Sequence, residues 1–142
     1  MKSKGGAGMK IVVIDGQGGR LGQLVVEAIR KEKIKADLYA IGTNSIATVA
    51  MVKAGADYGA TGENPVVVAC RDADIIIGPI GILSADSLLG EITPAMALAI
   101  GQSRAVRLLL PVSHCNNRVV GVKNLSMNEM VKEAIESLKE LI

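Results

Sequence analysis

Lys10-Ile-Val-Val-Ile-Asp15, followed at once by Gly16-Gln-Gly-Gly-Arg-Leu-Gly22, decides the fold of this chain. A continuous run of β-branched residues ending at glycines reads as a strand buried on both faces, the kind found inside parallel sheets. Beyond the glycines, Leu21, Leu24, Val25, Ala28 and Ile29 recur at helical spacing, with Glu27, Arg30 and Lys31 on the other side. That spacing predicts an amphipathic helix. A buried strand, a glycine turn and a helix in succession open an α/β unit.

The alternation continues outward from there. Residues 37–41 (DLYAI) predict a second strand. Residues 45–54 predict a helix that is apolar around most of its surface, and so deeply buried or used in an oligomer contact. A short third strand is expected near residues 56–59. Asn64-Pro65 reads as an N-cap and first helical residue for a helix reaching Arg71. Residues 73–77 predict a strand stopped by Gly78-Pro79, and residues 84–89 a short helix closed by Gly90. Thr93-Pro94 repeats the cap-plus-proline signal for a helix through Ile100, and residues 106–112 form a strong buried strand. The link 113–117 is too short for a parallel crossover, so residues 118–123 are expected to return as an antiparallel strand. Ser126 and Glu129 make a capping box, followed by an apolar face of Met130, Val131, Ala134, Ile135, Leu138, Leu141 and Ile142. The expected architecture is a Rossmann-like, doubly wound, mostly parallel sheet with one antiparallel strand near the C-terminus. It would form a single domain over residues 9–142 behind a flexible tail at 1–8.

Composition narrows the function classes. The chain has 142 residues, 49% of them hydrophobic and 21% charged, enough to bury a core. A net charge of +2, with two tyrosines and neither Phe nor Trp, argues against nucleic acid as a partner. Cys70 and Cys115 form no Cys-x-x-Cys or Cys/His ligand spacing, so reduced thiols in a cytoplasmic protein are expected, and no metal site. The first eight residues lack the apolar core of a secretory signal, and no apolar run approaches about 20 residues, so no membrane segment is expected.

In doubly wound sheets, ligands bind beyond the carboxyl ends of the strands. The segments following predicted strands are Gly16-Gln-Gly-Gly, Gly42-Thr-Asn-Ser, Gly78-Pro-Ile-Gly and Ser113-His-Cys-Asn-Asn. Those preceding strands, such as Lys33-Ile-Lys and Cys70-Arg-Asp, are ordinary charged surface. That asymmetry places a site at one edge of the sheet.

At this edge Asp15, Gly16, Gln17, Gly18, Gly19, Arg20 and Gly22 form a strand-to-helix glycine loop suited to a phosphate. Glycines permit the tight turn and a close backbone approach, and the helix N-terminus supplies free amides. The spacing is GxGxxxG or GxxGxxG rather than the strict GxGxxG. Asp15 would repel a phosphate unless it binds loop amides or holds a metal. The ribose-binding acid expected about 20 residues on is missing, and Thr43, Asn44 and Ser45 stand in its place. Gly78 and Pro79 would close the far wall. NAD or NADP is the leading cofactor candidate, and a glycine turn that merely packs helix on strand is the plain alternative. A Walker loop lacks its Gly-Lys-Ser/Thr, and Gln17 cannot replace the histidine of a cobalamin site. The loop resembles the Gly-x-x-Gly-Arg-Met-Gly of dihydrodipicolinate reductases at Gly16, Gly19, Arg20, Leu21 and Gly22; that resemblance implies a cofactor phosphate facing Arg20.

Four residues are candidates for catalysis. His114, the sole histidine, and Cys115 end a predicted strand at the ligand edge, although neighbours in extended chain point to opposite faces. Asp86 is read as a cap or a ribose acceptor, and Glu91 as a cap for the helix beginning near Pro94. Glu63 and Asn64 are read as capping residues. Two functions remain open: a nucleotide-binding or regulatory module, or a small homo-oligomeric enzyme, oxidoreductase-like, whose substrate pocket a second subunit completes.

A wider series of motifs is also recognisable. Val13-Ile-Asp-Gly-Gln-Gly-Gly, Ile41-Gly-Thr-Asn-Ser-Ile-Ala-Thr, Gly59-Ala-Thr-Gly-Glu-Asn, Gly78-Pro-Ile-Gly and Leu89-Gly-Glu-Ile-Thr-Pro-Ala-Met together resemble the bacterial family of domain of unknown function 3842. The resemblance covers nearly everything from Met9 onward. It implies no activity.

Overall fold

The computed structural model describes residues 8–112 and 116–142. Five strands, β1 (Lys10–Asp15), β2 (Asp37–Gly42), β3 (Tyr58–Thr61), β4 (Ile75–Pro79) and β5 (Val106–Leu110), form one sheet in the order β3-β2-β1-β4-β5. Every pairing in it is parallel. Helices α1 (Arg20–Lys31), α2 (Ser45–Lys53), α3 (Glu63–Cys70), α4 (Pro94–Gln102) and α5 (Met127–Leu141) cover it, with a 3₁₀ turn at Ile80–Leu83. This is a Rossmann-like α/β fold.

The period-2 alternation of a strand explains the β1 sequence. Ile11 and Val13 pack with Leu38, Ala40, Ile75 and Ile77 beneath α1, α2 and α5. Val12 and Ile14 pack with Ile41 and Ile76 beneath α3 and α4. All four β1 side chains are fully buried, each worth about 1.5–3 kcal/mol of transfer free energy. A strand clasped from both sides has no position for a polar residue until it emerges at Asp15.

Several helix ends follow their sequence signals. Thr93 Oγ1 accepts from the Met96 amide at 3.1 Å and starts α4. Ser126 and Glu129 exchange the two bonds of a capping box, at 3.2 and 2.8 Å, and start α5. Asn44 Oδ1 caps α2 through the Ala47 amide.

Other expectations are corrected. Residues 118–123 form no strand and no antiparallel pairing occurs among the described residues. Gly121 turns the chain there with φ 86°, and Val120 is 95% exposed, so the valines imitate a strand without facing a core. Residues 84–89 form no helix, because Asp86, Leu88 and Leu89 take left-handed φ values of 68°, 54° and 56°. β3 begins two residues later than expected, at Tyr58. Helix α3 starts at Glu63 behind Gly62, which puts Pro65 at the third helical position; its missing N–H is still one of the unpaired first-turn donors. β4 runs through Gly78 and Pro79 instead of stopping before them. A Cβ on Gly78 would lie 2.4 Å from the Ile14 carbonyl oxygen, so this glycine lets β4 approach β1. Finally, α2 buries Ala47, Thr48 and Met51 but leaves Ile46, Val49 and Val52 exposed, so it is not buried all round.

Candidate functional site

From β1 the chain winds to β2 and β3 on one side, while β4 and β5 lie on the other. The crevice of such a sheet opens where the winding reverses, at the carboxyl ends of β1 and β4. A cavity of about 180 Å³ lies there. Gly16, Gln17, Gly18, Gly19, Arg20 and Leu21 line one wall, and Pro79, Gly81 and Leu88 the other, with Val112 and Met127.

The glycines of the loop serve different needs. The Gly19 amide donates to the Gly16 carbonyl at 2.9 Å and closes the turn. Gly19 itself has φ 74°, and a Cβ there would lie 2.7 Å from the Ala47 Cα. A Cβ on Gly16 would meet Thr43 Oγ1 at 2.5 Å, and one on Gly22 would meet Met51 Sδ at 2.5 Å. Those three glycines are demanded by packing. Gly18 is not: a Cβ there meets nothing within 4 Å, and its φ is not left-handed.

Asp15 is buried and turned into the loop's own backbone. Its Oδ1 accepts from the Gly16 amide at 2.8 Å and its Oδ2 from the Gly22 amide at 2.7 Å. The carboxylate thus binds loop amides, one of the two ways in which it would avoid repelling a phosphate. Burial pushes its pKa above the usual value; the two amide bonds pull the other way, and the nearby charge of Glu91 adds to the rise. Among the described residues, no acceptor reaches the amides of Gly18, Arg20 and Leu21, as expected at the open start of a helix.

Glu91 departs from its expected role. Thr93 caps α4, and Glu91 reaches back to the glycine loop. Its Oε1 accepts from the Gln17 amide at 2.8 Å, from Thr43 Oγ1 at 2.6 Å and from Asn44 Nδ2 at 2.9 Å. Burial alone would raise the Glu91 pKa, but these donors outweigh it and hold the carboxyl below its usual range. Asn44 also donates to the Gln17 carbonyl at 2.9 Å, tying the end of β2 to the loop after β1.

The remaining candidates divide. Gln17, Thr43, Asn44 and Glu91 form one cluster. Arg20 and Pro79 border the cavity, whereas Gly78 serves the β1–β4 contact. Ser45 and Asp86 are exposed. His114 and Cys115 lie outside the described residues, as does the tail at 1–7. Cys70, the last residue of α3, is buried, which raises its thiol to about 11 and leaves it protonated. A larger cavity of about 420 Å³, absent from the sequence reading, lies between β5, residues 119–125 and α5. Its walls include Leu108, Leu110, Val122, Leu125 and Met130. Nothing in the sequence signals it, because the valines of residues 118–123 read as a strand.

Among the described residues, no helix is long and apolar enough to cross a membrane. No curated protein and no solved structure matches the chain. A family model, Domain of unknown function (DUF3842), matches residues 10–142, from the start of β1 to the last residue, and the chain belongs to that family.

Proposed function

We propose that the loop from Gly16 to Gly22 binds a nucleotide or another phosphate-bearing ligand, with NAD or NADP foremost, and that the protein acts as a binding or regulatory module. Gly18 carries this reading. Fold and packing make no demand for a glycine at that position, yet it lines the cavity beside the amides at the start of α1. A bare backbone there suits the close approach of a phosphate. The aligned peptide dipoles of α1 favour an anion at the same place. Arg20, exposed at the first position of α1, supplies a positive charge on the rim. Asp15 does not oppose the anion as a free carboxylate would, because both of its oxygens are bonded to loop amides.

The test is Gly18→Val with a thermal-shift panel of NAD, NADP, ATP and inorganic phosphate. Wild-type protein at a hundred times the dissociation constant should gain about 2.7 kcal/mol. For a chain of this size that is a rise of roughly 5–10 °C. The valine would project into open cavity, so the variant should keep the wild-type circular dichroism and melting point and lose the shift. A wild-type protein that none of these ligands stabilises would leave the loop a packing device.

A further inference from the structure

We infer that β5 is where two copies of this chain join, pairing antiparallel across a two-fold axis at Leu108. The pairing would make one continuous sheet from two five-stranded ones. β5 is an edge strand, paired with β4 alone. The Val106 amide donates to the Asp74 carbonyl at 3.1 Å, so Val106, Leu108 and Leu110 turn their peptide groups toward β4. Arg107 and Leu109, between them, turn theirs toward the open edge. Among the described residues, neither finds a backbone partner there. The edge closes just beyond them on both sides. The Ala105 amide donates to Ser103 Oγ at 3.1 Å, and the Ala105 carbonyl accepts from Arg107 Nη1 at 3.4 Å. At the other end Pro111 has no N–H to offer. What remains open is one residue on either side of Leu108.

That symmetry selects a second copy as the occupant. In an antiparallel pair, opposed residues exchange both of their bonds at every second position. With the axis at Leu108, Arg107 of each copy faces Leu109 of the other, and every open amide meets an open carbonyl. An axis at Arg107 or Leu109 would instead set an open group against Ala105 or Pro111. Charge does not oppose the contact. The one charged side chain of β5, Arg107, is turned onto the carbonyls of Ile100, Ser103 and Ala105. Native edges are ordinarily guarded by an exposed charge, a bulge, a proline or a covering segment. β5 reads Val-Arg-Leu-Leu-Leu. Residues 119–125 stand across the cavity of about 420 Å³ and, among the described residues, make no backbone bond to it. Val106, Val119 and Val122, 47%, 42% and 45% exposed, flank this edge and would be covered by the second copy. The opposite edge strand, β3, is guarded by its brevity, being four residues with Gly59 among them.

The experiment is sedimentation velocity of the full chain at micromolar concentration, with two kinds of variant. Wild-type protein should sediment as a dimer. Leu109→Pro removes an outward amide from each copy and leaves the bonds to β4 in place, and proline is tolerated on edge strands. It should keep the wild-type circular dichroism and raise the dissociation constant by about tenfold or more. Leu108→Cys, combined with Cys115→Ser, tests the register; the remaining Cys70 is buried. At the axis the two copies of residue 108 oppose each other without exchanging bonds, so their Cα atoms would be about 4.5 Å apart, within reach of a disulfide. Mild oxidation should give a covalent dimer from Leu108→Cys and none from Val106→Cys, whose opposite is Leu110. A monomeric wild type overturns the proposal. So does a dimer that survives Leu109→Pro, or one that fails to cross-link at residue 108. A dimer that separates on Val49→Lys instead would place the contact on the exposed face of α2. If Leu109→Pro does not fold, the two cysteine variants decide the matter alone.

Discussion

Two connections meet at the cavity and turn the chain by different means. After β1 the turn places glycine at Gly19, with φ 74°, beside Gln17 at φ 51°. After β4 the chain places Asp86, Leu88 and Leu89 in the left-handed region before reaching Gly90. Such a conformation costs an L-residue other than glycine about 1–2 kcal/mol. The first connection uses glycine because α2 leaves no room for a side chain. The second retains side chains because some are needed: Leu88 lines the cavity and would lie 3.0 Å from a Cβ on Gly16. Gly19 is therefore glycine because contact forbids a side chain, and Leu88 keeps one because it lines the cavity, whereas Gln17, Asp86 and Leu89 are left-handed yet exposed.

The sharpest way to break this contrast is Gly19→Val. The new Cβ would lie 2.7 Å from the Ala47 backbone on a residue with φ 74°, combining overpacking with backbone strain. We expect a loss of about 3 kcal/mol or more in denaturant unfolding, against no loss for Gly18→Val two steps away in role and one in sequence. If the two valine variants unfold together, the glycines are not divided between packing and ligand.

Asp15 and Glu91 sharpen the comparison electrostatically, since Asp15 at the end of β1 accepts from two loop amides and Glu91, in the connection after β4, from one. Asp15→Ala strips the acceptor from two buried amides and should cost about 2 kcal/mol. The pH dependences run in opposite directions. The Asp15 pKa is raised on folding, so its contribution is fullest below its unfolded value of 3.8 and is lost as pH rises through the folded value. The Glu91 pKa is lowered, so its contribution is present above 4.5 and is lost as pH falls through the folded value. The gap between wild type and Asp15→Ala, read from unfolding curves, should therefore widen on acidification from pH 7 to pH 4. A gap that narrows would mean that the two amide bonds outweigh burial.

These expectations also mark what the sequence could reveal. The β-branched run at β1, the caps at Thr93 and Ser126 and the glycine turn are local signals. Each acts between neighbours in the chain, and each appears in the structure. The cluster of Gln17, Thr43 and Asn44 follows from one rule, that the carboxyl ends of parallel strands lie together. Glu91 is a candidate on sequence, but its bonds to the glycine loop do not follow from that rule. It is 74 residues from Gln17, and two residues before a capped proline helix it carries the ordinary signature of a capping acid. Nor could sequence sort Gly18 from its neighbours, because what distinguishes them is the space around a Cβ that none of them has. The valines at 119, 120 and 122 imitate a strand for the reverse reason: their β propensity is local, while a strand also needs a partner and a core.

The smallest effect separates strain from packing within the second connection. Leu88 and Leu89 share the left-handed conformation, at φ 54° and 56°, but Leu89 is 94% exposed whereas Leu88 borders the cavity. Leu89→Gly removes a side chain that packs on nothing and relieves about 1–2 kcal/mol of strain. The greater freedom of glycine in the unfolded chain offsets about 0.5–1 kcal/mol of this. The net gain should be about 0.5–1 kcal/mol, a rise of roughly 2–4 °C in melting temperature. Leu88→Gly should melt lower, because the same relief is outweighed by lost burial. Were Leu89→Gly also to melt lower, the connection would not be strained, and the left-handed residues would lose their bearing on how Glu91 is held. A gain confined to Leu89 would mean that contacts at Ser87, Leu88 and Glu91 hold the backbone against its own preference.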